Sequence, residues 1–266
     1  GGLLPRFFGS YVSGGADSSA ALRATLLVGI GLFLCSLLPV LRMREEKRAA
    51  VPVRTAGSSF LNLSDTRLVR RLLLPQVLMS LGAGLIMPLQ NVFMNRYLGA
   101  TTAQIGLFFS LGSALTGLGA LLSPLMVQKW GKVRALTGTQ LSSLPFLAVM
   151  GLVPNLWVYG AAGLVRTSLM NMANPMISNF TLEAVEAHER ATVNSLVSMS
   201  WSLGWAVSGW AGGWLMQNVS YTLPYGFTWV LYAGSILMFY GFFKGHEPSL
   251  RQRGSAGAEG SSPEIG

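Results

Sequence analysis

Seven stretches of this chain are each long and apolar enough to cross a lipid bilayer, and few charges interrupt them. A membrane-spanning helix needs about 20 apolar residues. Charged residues make up only 11% of the 266 residues, and nearly all of them fall between these stretches. The pattern therefore predicts one integral membrane domain and not a soluble enzyme. The candidate spans lie at 21–42, 72–97, 101–127, 133–153, 156–180, 192–216 and 226–244.

The composition of these stretches predicts helices and not the strands of a membrane barrel. They are rich in Leu, Ala, Gly and Met, and they lack the alternation of apolar and polar residues that barrel strands require. A helix also satisfies its own backbone hydrogen bonds, which lipid cannot do. The predicted fold class is an all-α membrane protein, a bundle of seven transmembrane helices.

The basic residues predict how the chain is oriented in the membrane. The net charge is +9, and 15 of the 19 Lys and Arg fall on one side if the spans alternate in direction. Arg6, Arg23 and Arg96 lie on the other side, and Arg166 lies within a span. Because basic loops stay in the cytoplasm, we expect a multi-pass protein of the plasma membrane with its N-terminus outside and its C-terminus cytoplasmic. The same placement argues against a nucleic-acid partner.

The ends of the chain suggest a fragment of a longer protein. Residues 1–20 lack the pattern of a signal peptide and are interpreted as the outer end of a preceding helix and an external loop. The span 21–42 is then the last helix of an N-terminal half, and 43–71 is a basic cytoplasmic linker. We expect 72–244 to form a six-helix bundle and 245–266 to be a disordered cytoplasmic tail. An odd number of spans with the N-terminus outside the cell fits a truncated transporter that lacks its N-terminal helices.

The end of the linker allows two interpretations. Ser64 or Asp65 is a suitable N-cap for a short amphipathic helix at 65–71. A solvated linker fits the same residues equally well. Both interpretations keep this segment in the cytoplasm.

The six later spans divide into two triplets, 72–153 and 156–244. In the leading span of each triplet a proline, Pro88 or Pro175, is followed within a few residues by an asparagine and a phenylalanine. Because three is odd, the triplets insert with opposite topology. Inverted repeats of three helices are a known construction of transporters, with an interrupted helix of each repeat near the substrate.

Polar side chains form a stripe on each leading span. At 100° per residue, the amides of 72–97 fall largely on one face, and those of 156–180 continue from Thr167 to Ser178. A helix that faces only lipid would not keep such a stripe, although amides also join helices by hydrogen bonds. These faces therefore meet protein or water. The candidate substrate-binding residues are Gln90, Asn91, Asn95, Arg166, Asn171 and Asn174.

Arg166 is the only charge well inside a span, ten residues from its outer end. An arginine at the centre of a span costs about 2.5–3.5 kcal/mol on insertion scales, and such residues usually face a cavity or a partner. One interpretation is a contact for an anionic or polar substrate. The other is an arginine that bonds to helix carbonyls or extends toward the outer surface.

The remaining reactive residues predict neither an enzyme nor a metal centre. No Asp or Glu lies within any candidate span, and His188 and His246 lie in cytoplasmic segments. Cys35 is the only cysteine, so it forms no internal disulfide. We therefore expect no catalytic residue, no metal site and no cofactor. A carboxylate that relays protons would belong to the missing part of the protein.

The segment PLMVQKWGKVRAL at 124–136 resembles the signature loop of major facilitator superfamily transporters, G-x-L-a-D-R-x-G-R-[RK]. Pro124 stands at the first glycine of that pattern. The candidate loop residues are Gln128 at the aspartate position, with Lys129, Gly131, Lys132 and Arg134 at or next to its basic and glycine positions.

The resemblance implies that the chain covers helices six to twelve of a twelve-helix protein. In that family the seventh and tenth helices line the central cavity, and these correspond to 72–97 and 156–180. The implied function is that of a truncated secondary active transporter, which moves a small solute by alternating access in a lipid bilayer. A seven-helix receptor and a membrane scaffold without transport activity are the alternatives.

Overall fold

The structure, a computed structural model, describes residues 23, 26–31, 33–35, 65–185 and 188–245. This part of the chain is helical and contains no strand. An apolar helical segment, Leu26–Cys35, precedes six longer helices. They are α1 (Thr66–Tyr97), α2 (Thr102–Trp130), α3 (Lys132–Leu152), α4 (Leu156–Ala184), α5 (Arg190–Asn218) and α6 (Leu223–Phe243).

The helices have the lengths and the apolar surfaces of membrane spans. Four of them, α1, α2, α3 and α6, are long and apolar enough to cross a membrane. Helices α4 and α5 are less apolar, but at 29 residues each they extend about 43 Å. Leu121 and Leu125 of α2 are 74% and 61% exposed on the outside of the bundle, which suits lipid and not water. The predicted all-α membrane fold is confirmed.

Helix α1 begins six residues before the predicted span, at Thr66. Asp65 is the N-cap, and its side chain accepts a hydrogen bond of 3.0 Å from the amide of Leu68. Of the two interpretations of residues 65–71, the structure has the helical one, because 66–71 are the first turns of α1. Residues 1–20, 43–64 and 246–266, with most of the span 21–42, lie outside the described residues, and the predictions made for them stay predictions.

Helix α1 is interrupted near its outer end. Its first segment ends at Ile86, a turn follows around Pro88, and residues Gln90–Val92 are α-helical again. Pro88 has no backbone N–H, so the turn lacks one helical hydrogen bond at this position. Residues Phe93–Tyr97 then form a π-helical turn, in which the amide of Leu98 bonds to the carbonyl of Phe93 at 3.2 Å. The break rotates everything beyond Pro88 relative to a continuous helix.

The two triplets of helices pack as an inverted repeat. The leading helix of each triplet packs against the second and third helices of the other: α1 against α5 and α6, and α4 against α2 and α3. The two third helices, α3 and α6, pack against each other. Exchanging the triplets leaves this pattern unchanged, which is the property of a pseudo-twofold axis. The predicted inverted arrangement is confirmed.

Glycines allow α1 and α5 to approach closely. A Cβ atom added to Gly84 would collide with the Ser208 hydroxyl, and one added to Gly204 would collide with the Ser80 hydroxyl. Further out, a Cβ at Gly212 would meet the backbone of Leu85. Small residues at such positions let membrane helices gain close van der Waals contact. We call this contact the glycine–serine seam.

Replacing Gly212 by alanine tests the glycine–serine seam. We expect Gly212→Ala to lower the free energy of unfolding by about 1–3 kcal/mol, because the added methyl group meets backbone atoms that cannot rotate away. Gly213→Ala is the matched control, since nothing lies within 4 Å of a Cβ atom built there. Thermal unfolding in one detergent compares the two variants. Equal melting temperatures would contradict the proposed tight contact.

Candidate functional site

A cavity of about 480 Å³ opens between α1, α2, α4, α5 and α6. Its wall is mainly apolar and aromatic, with methionines from α1 and α4 and tryptophans from α5. A small number of polar groups in an apolar wall is typical of a small-molecule site. The polar amide and aliphatic hydroxyl side chains of the wall are Gln90, Ser113, Thr116, Thr167, Asn171 and Asn174.

Three of the six predicted substrate-binding residues line this cavity, and three do not. Gln90, Asn171 and Asn174 belong to its wall. Asn91 is exposed outside it, and the Asn95 amide donates a hydrogen bond of 3.1 Å to the Ala100 carbonyl. The break in α1 explains the positions of Asn91 and Asn95, because a helical wheel that ignores it misplaces residues after Pro88. The third residue outside the wall is Arg166 of α4. Whether any of the six residues binds a solute stays a prediction.

The amides of α4 form a short ladder along the cavity. The Asn171 Nδ2 donates to the Thr167 carbonyl at 2.8 Å, and the Asn174 Nδ2 donates to the Asn171 Oδ1 at 3.0 Å. Thr167, Asn171 and Asn174 are spaced by four and three residues, which places them on one face of the helix. The ladder offers donors and acceptors to a solute without adding charge.

Helices α2 and α5 also contribute to the wall, which the sequence interpretation did not predict in detail. Ser113 and Thr116 of α2 are three residues apart and share a face. Trp201 and Trp205 of α5 line the cavity, whereas Trp210 is 77% exposed on the other side. The sharing of a face by Trp201 and Trp205 was visible in the sequence, but which tryptophan face turned inward was not.

Arg166 lies behind the cavity wall. Only 2% of the residue is exposed, and its Cζ lies 5.4 Å from the centre of the Tyr232 ring. Tyr232 itself lines the cavity. Among the described residues, no group forms a hydrogen bond with the buried Nε and Nη2 atoms of Arg166. The predicted contact between Arg166 and a substrate stays a prediction.

An aromatic cluster joins the C-terminal end of α1 to the N-terminal ends of α4 and α6. The hydroxyls of Tyr159 and Tyr225 lie 2.8 Å apart and are buried. The Phe93 ring, brought inward by the π-helical turn, lies 5.2 Å from the ring of Tyr159 and 4.7 Å from that of Tyr225. Tyr97 stacks on Tyr221 at 5.5 Å. Since Tyr159 also lines the cavity, this cluster forms part of its outer boundary.

The predicted signature loop is a turn of one residue. Gln128 and Lys129 belong to the end of α2, and Lys132 and Arg134 belong to the start of α3. Only Gly131 separates the helices, with φ 82°. Glycine tolerates this positive φ without strain. The motif is therefore helical on both sides of its glycine.

This turn is tied to the C-terminal end of α4. The Lys132 ammonium forms an ion pair with the Glu183 carboxylate. Gln128 and Lys132 also line a second cavity of about 270 Å³ together with Asn179. The Lys129 ammonium lies 5.9 Å from the centre of the Trp130 ring, and Arg134 is exposed. In the part of the chain that the structure describes, no three His, Cys, Asp or Glu side chains are grouped as metal ligands.

The buried tyrosine pair gives a prediction about stability. We expect Tyr225→Phe to lower the free energy of unfolding by about 1–3 kcal/mol, because the Tyr159 hydroxyl loses a buried partner. The double variant Tyr159→Phe/Tyr225→Phe should regain part of this loss, because neither hydroxyl is then left without the other. Unfolding in one detergent measures both. The single variant Tyr159→Phe completes the comparison. If the double variant loses as much free energy of unfolding as the two single variants together, the hydroxyls are not coupled.

Comparison with known proteins agrees with this architecture. The sequence matches the Major Facilitator Superfamily over residues 72–264. No curated protein sequence matches the chain. The structure is similar to the crystal structure of a bacterial homologue of the iron transporter ferroportin in an inward-facing state, with 15% sequence identity and a TM-score of 0.60.

That similarity covers 66% of this chain and 45% of the solved one, so the chain spans less than half the length of the transporter it matches. At this identity the similarity concerns the fold alone. The match in sequence, in contrast, extends over more than half of the chain. The inverted triplets, the cavity between their leading helices and the family match lead to one conclusion: this chain belongs to the major facilitator superfamily of membrane transporters.

Proposed function

We propose that this chain forms the C-terminal half of a secondary active transporter that moves a small solute by alternating access. The observation that carries the proposal is the cavity of about 480 Å³ between the leading helices of two inverted triplets. Transporters with inverted repeats bind their substrates at the repeat interface near the bilayer midplane. Helices six to twelve would then be present here, and the N-terminal helices would complete the cavity wall.

The cavity residues suit a small organic solute. Gln90, Asn171 and Asn174 supply hydrogen-bond donors and acceptors, and Trp201 and Trp205 supply flat apolar surface. The volume lies within the range of about 300–1,000 Å³ that is usual for small-molecule sites. Asn91 and Asn95, which lie outside this wall, are candidates for contact with the other half of the protein.

The packing of the bundle supports a rocking motion of this half as one body. The glycine–serine seam holds α1 to α5, and α6 donates to α1 through Thr228, which bonds to the Gly82 carbonyl at 2.9 Å. Ser235 of α6 bonds to the Pro75 carbonyl at 2.6 Å. These buried contacts would persist while the cavity opens alternately to the two sides of the membrane.

The placement of charge supports a cytoplasmic C-terminus. The inner ends of the helices carry most of the described basic residues, and basic segments are retained in the cytoplasm. We therefore infer a multi-pass plasma membrane protein in which the signature turn at Gly131 faces the cytoplasm. The exposed basic residues at this end of the bundle include Arg67, Arg70, Lys129, Arg134, Arg190 and Lys244.

Thiol labelling tests alternating access without knowledge of the solute. In the complete transporter with Cys35→Ser, we expect Asn174→Cys to react with a membrane-impermeant maleimide added from either side of the membrane. The reason is that a wall residue of the cavity meets water in both the inward-open and the outward-open states. Labelling in oriented proteoliposomes, with the reagent outside or trapped inside, measures this.

Leu121→Cys is the control for the same experiment. Leu121 is 74% exposed on the outer surface of α2, where we expect lipid, and it does not line the cavity. This variant should react with the impermeant maleimide from neither side, because a thiol that faces lipid stays protonated and only the thiolate reacts. Labelling of Asn174→Cys from one side alone would contradict alternating access, and equal labelling of the two variants would contradict the aqueous cavity.

A further inference from the structure

Arg166 is a buried charge at the depth where a transporter binds its solute. It lies ten residues, or about 15 Å along the helix, from the N-terminal end of α4 and four residues from the centre of that helix, so it is well inside the span. Only 2% of the residue is exposed. A charge at this depth is costly and is usually retained for a function.

The two nitrogens of Arg166 without a partner lie on one edge of the guanidinium. They are Nε and Nη2, and both are buried with no hydrogen-bond partner among the described residues. Their N–H bonds point in nearly the same direction, because Nη2 is the terminal nitrogen on the same side as Nε. This edge is a fork that fits the two oxygens of a carboxylate. The structure therefore contains an unused pair of donors with the geometry of an anion site.

The described part of the chain provides no counter-charge for this fork. Its acidic residues are Asp65, Glu183 and Glu189, all at the inner ends of helices. Glu183 is 17 residues from Arg166 on the same helix, a distance of about 25 Å along the axis. A buried charge without a partner is strongly destabilising. A carboxylate from outside this segment would remove that cost.

Arg166 lies at the margin of the cavity. Gly163 and Thr167, its neighbours on α4, belong to the cavity wall. On a helical wheel Arg166 lies about 20° beyond Tyr159, which also lines the cavity. Tyr232, whose ring centre lies 5.4 Å from the Arg166 Cζ, also lines the cavity. The fork therefore has to move past this ring to meet a solute in the cavity.

The rest of the wall suits an apolar group. Met87, Met94, Phe108, Trp201 and Trp205 surround the cavity, and its wall contains no acidic side chain. Building on the transport function proposed above, we propose that the solute is an organic anion, with an apolar body held by the cavity wall and one carboxylate bound by the Nε–Nη2 edge of Arg166. Gln90, Asn171 and Asn174 then bind its remaining polar groups.

Three ligands that share one ring and differ in charge test this proposal on the complete transporter. Benzoate is the anion, benzamide is its neutral isostere, and benzylammonium is the cation. We expect benzoate to raise the melting temperature in detergent and to quench the fluorescence of the cavity tryptophans, with an affinity at least about tenfold above that of benzamide. Benzylammonium should have no effect. Equal responses to benzoate and benzamide would overturn the proposal.

Two variants of Arg166 assign the effect to its fork. Arg166→Lys keeps the charge but loses the paired donors, so we expect about tenfold weaker binding of benzoate. Arg166→Gln should abolish the response to benzoate and leave the ligand-free melting temperature equal or higher, because it removes an unpaired buried charge. Arg96→Gln, at an exposed arginine of α1, is the control and should respond to benzoate as the unchanged protein does.

The remaining outcomes also decide the question. A lower ligand-free melting temperature of Arg166→Gln, with no response of the unchanged protein to benzoate, would mean that Arg166 pairs with a carboxylate of the other half. An equal response to inorganic phosphate would contradict the need for an apolar body. If benzoate changes neither the melting temperature nor the tryptophan fluorescence while Asn174→Cys is labelled from both sides, this inference is wrong and the transport proposal stands. If labelling occurs from one side only, the transport proposal falls by itself.

Discussion

Lipid is as apolar as the side chains that face it, so burial of leucine against leucine does little to hold these helices together. The bundle depends instead on close backbone contact and on hydrogen bonds made inside it. The glycine–serine seam between α1 and α5 provides the close backbone contact. The hydroxyls of Thr228 and Ser235, which bond from α6 to carbonyl oxygens of α1, provide the second. Large apolar side chains are then free to cover the outer surface.

The same constraint explains where the polar residues lie. Side chains that cannot face lipid must meet one another or line a space that contains water. On α4 the ladder of Thr167, Asn171 and Asn174 lines the cavity, while Arg166 is buried beside the ring of Tyr232. One helix thus carries two polar surfaces of different kinds, a neutral one at the cavity and a charged one beside it.

The apolar stretches predicted the helices well, because length and hydrophobicity alone decide whether a segment spans a bilayer. The positions of side chains near the break of α1 were not predictable in the same way. The sequence made both Gln90 and Asn91 candidates, but beyond the turn at Pro88 only Gln90 of these two lines the cavity. Helix α1 begins early because Asp65 caps it. The sequence around Asp65 fitted a capped helix and a solvated linker equally well, so it did not decide between them. For Arg166 the sequence indicated burial, but it did not indicate that Tyr232 would cover it.

The junction between α2 and α3 has a mechanical consequence. A single glycine with a positive φ connects a helix of 29 residues to one of 21 residues. A linker of one residue has no slack, so it fixes the C-terminal end of α2 to the N-terminal end of α3. The ion pair from Lys132 to Glu183 extends the same linkage to the C-terminal end of α4. These three helix ends therefore cannot separate without straining the linker or breaking the ion pair.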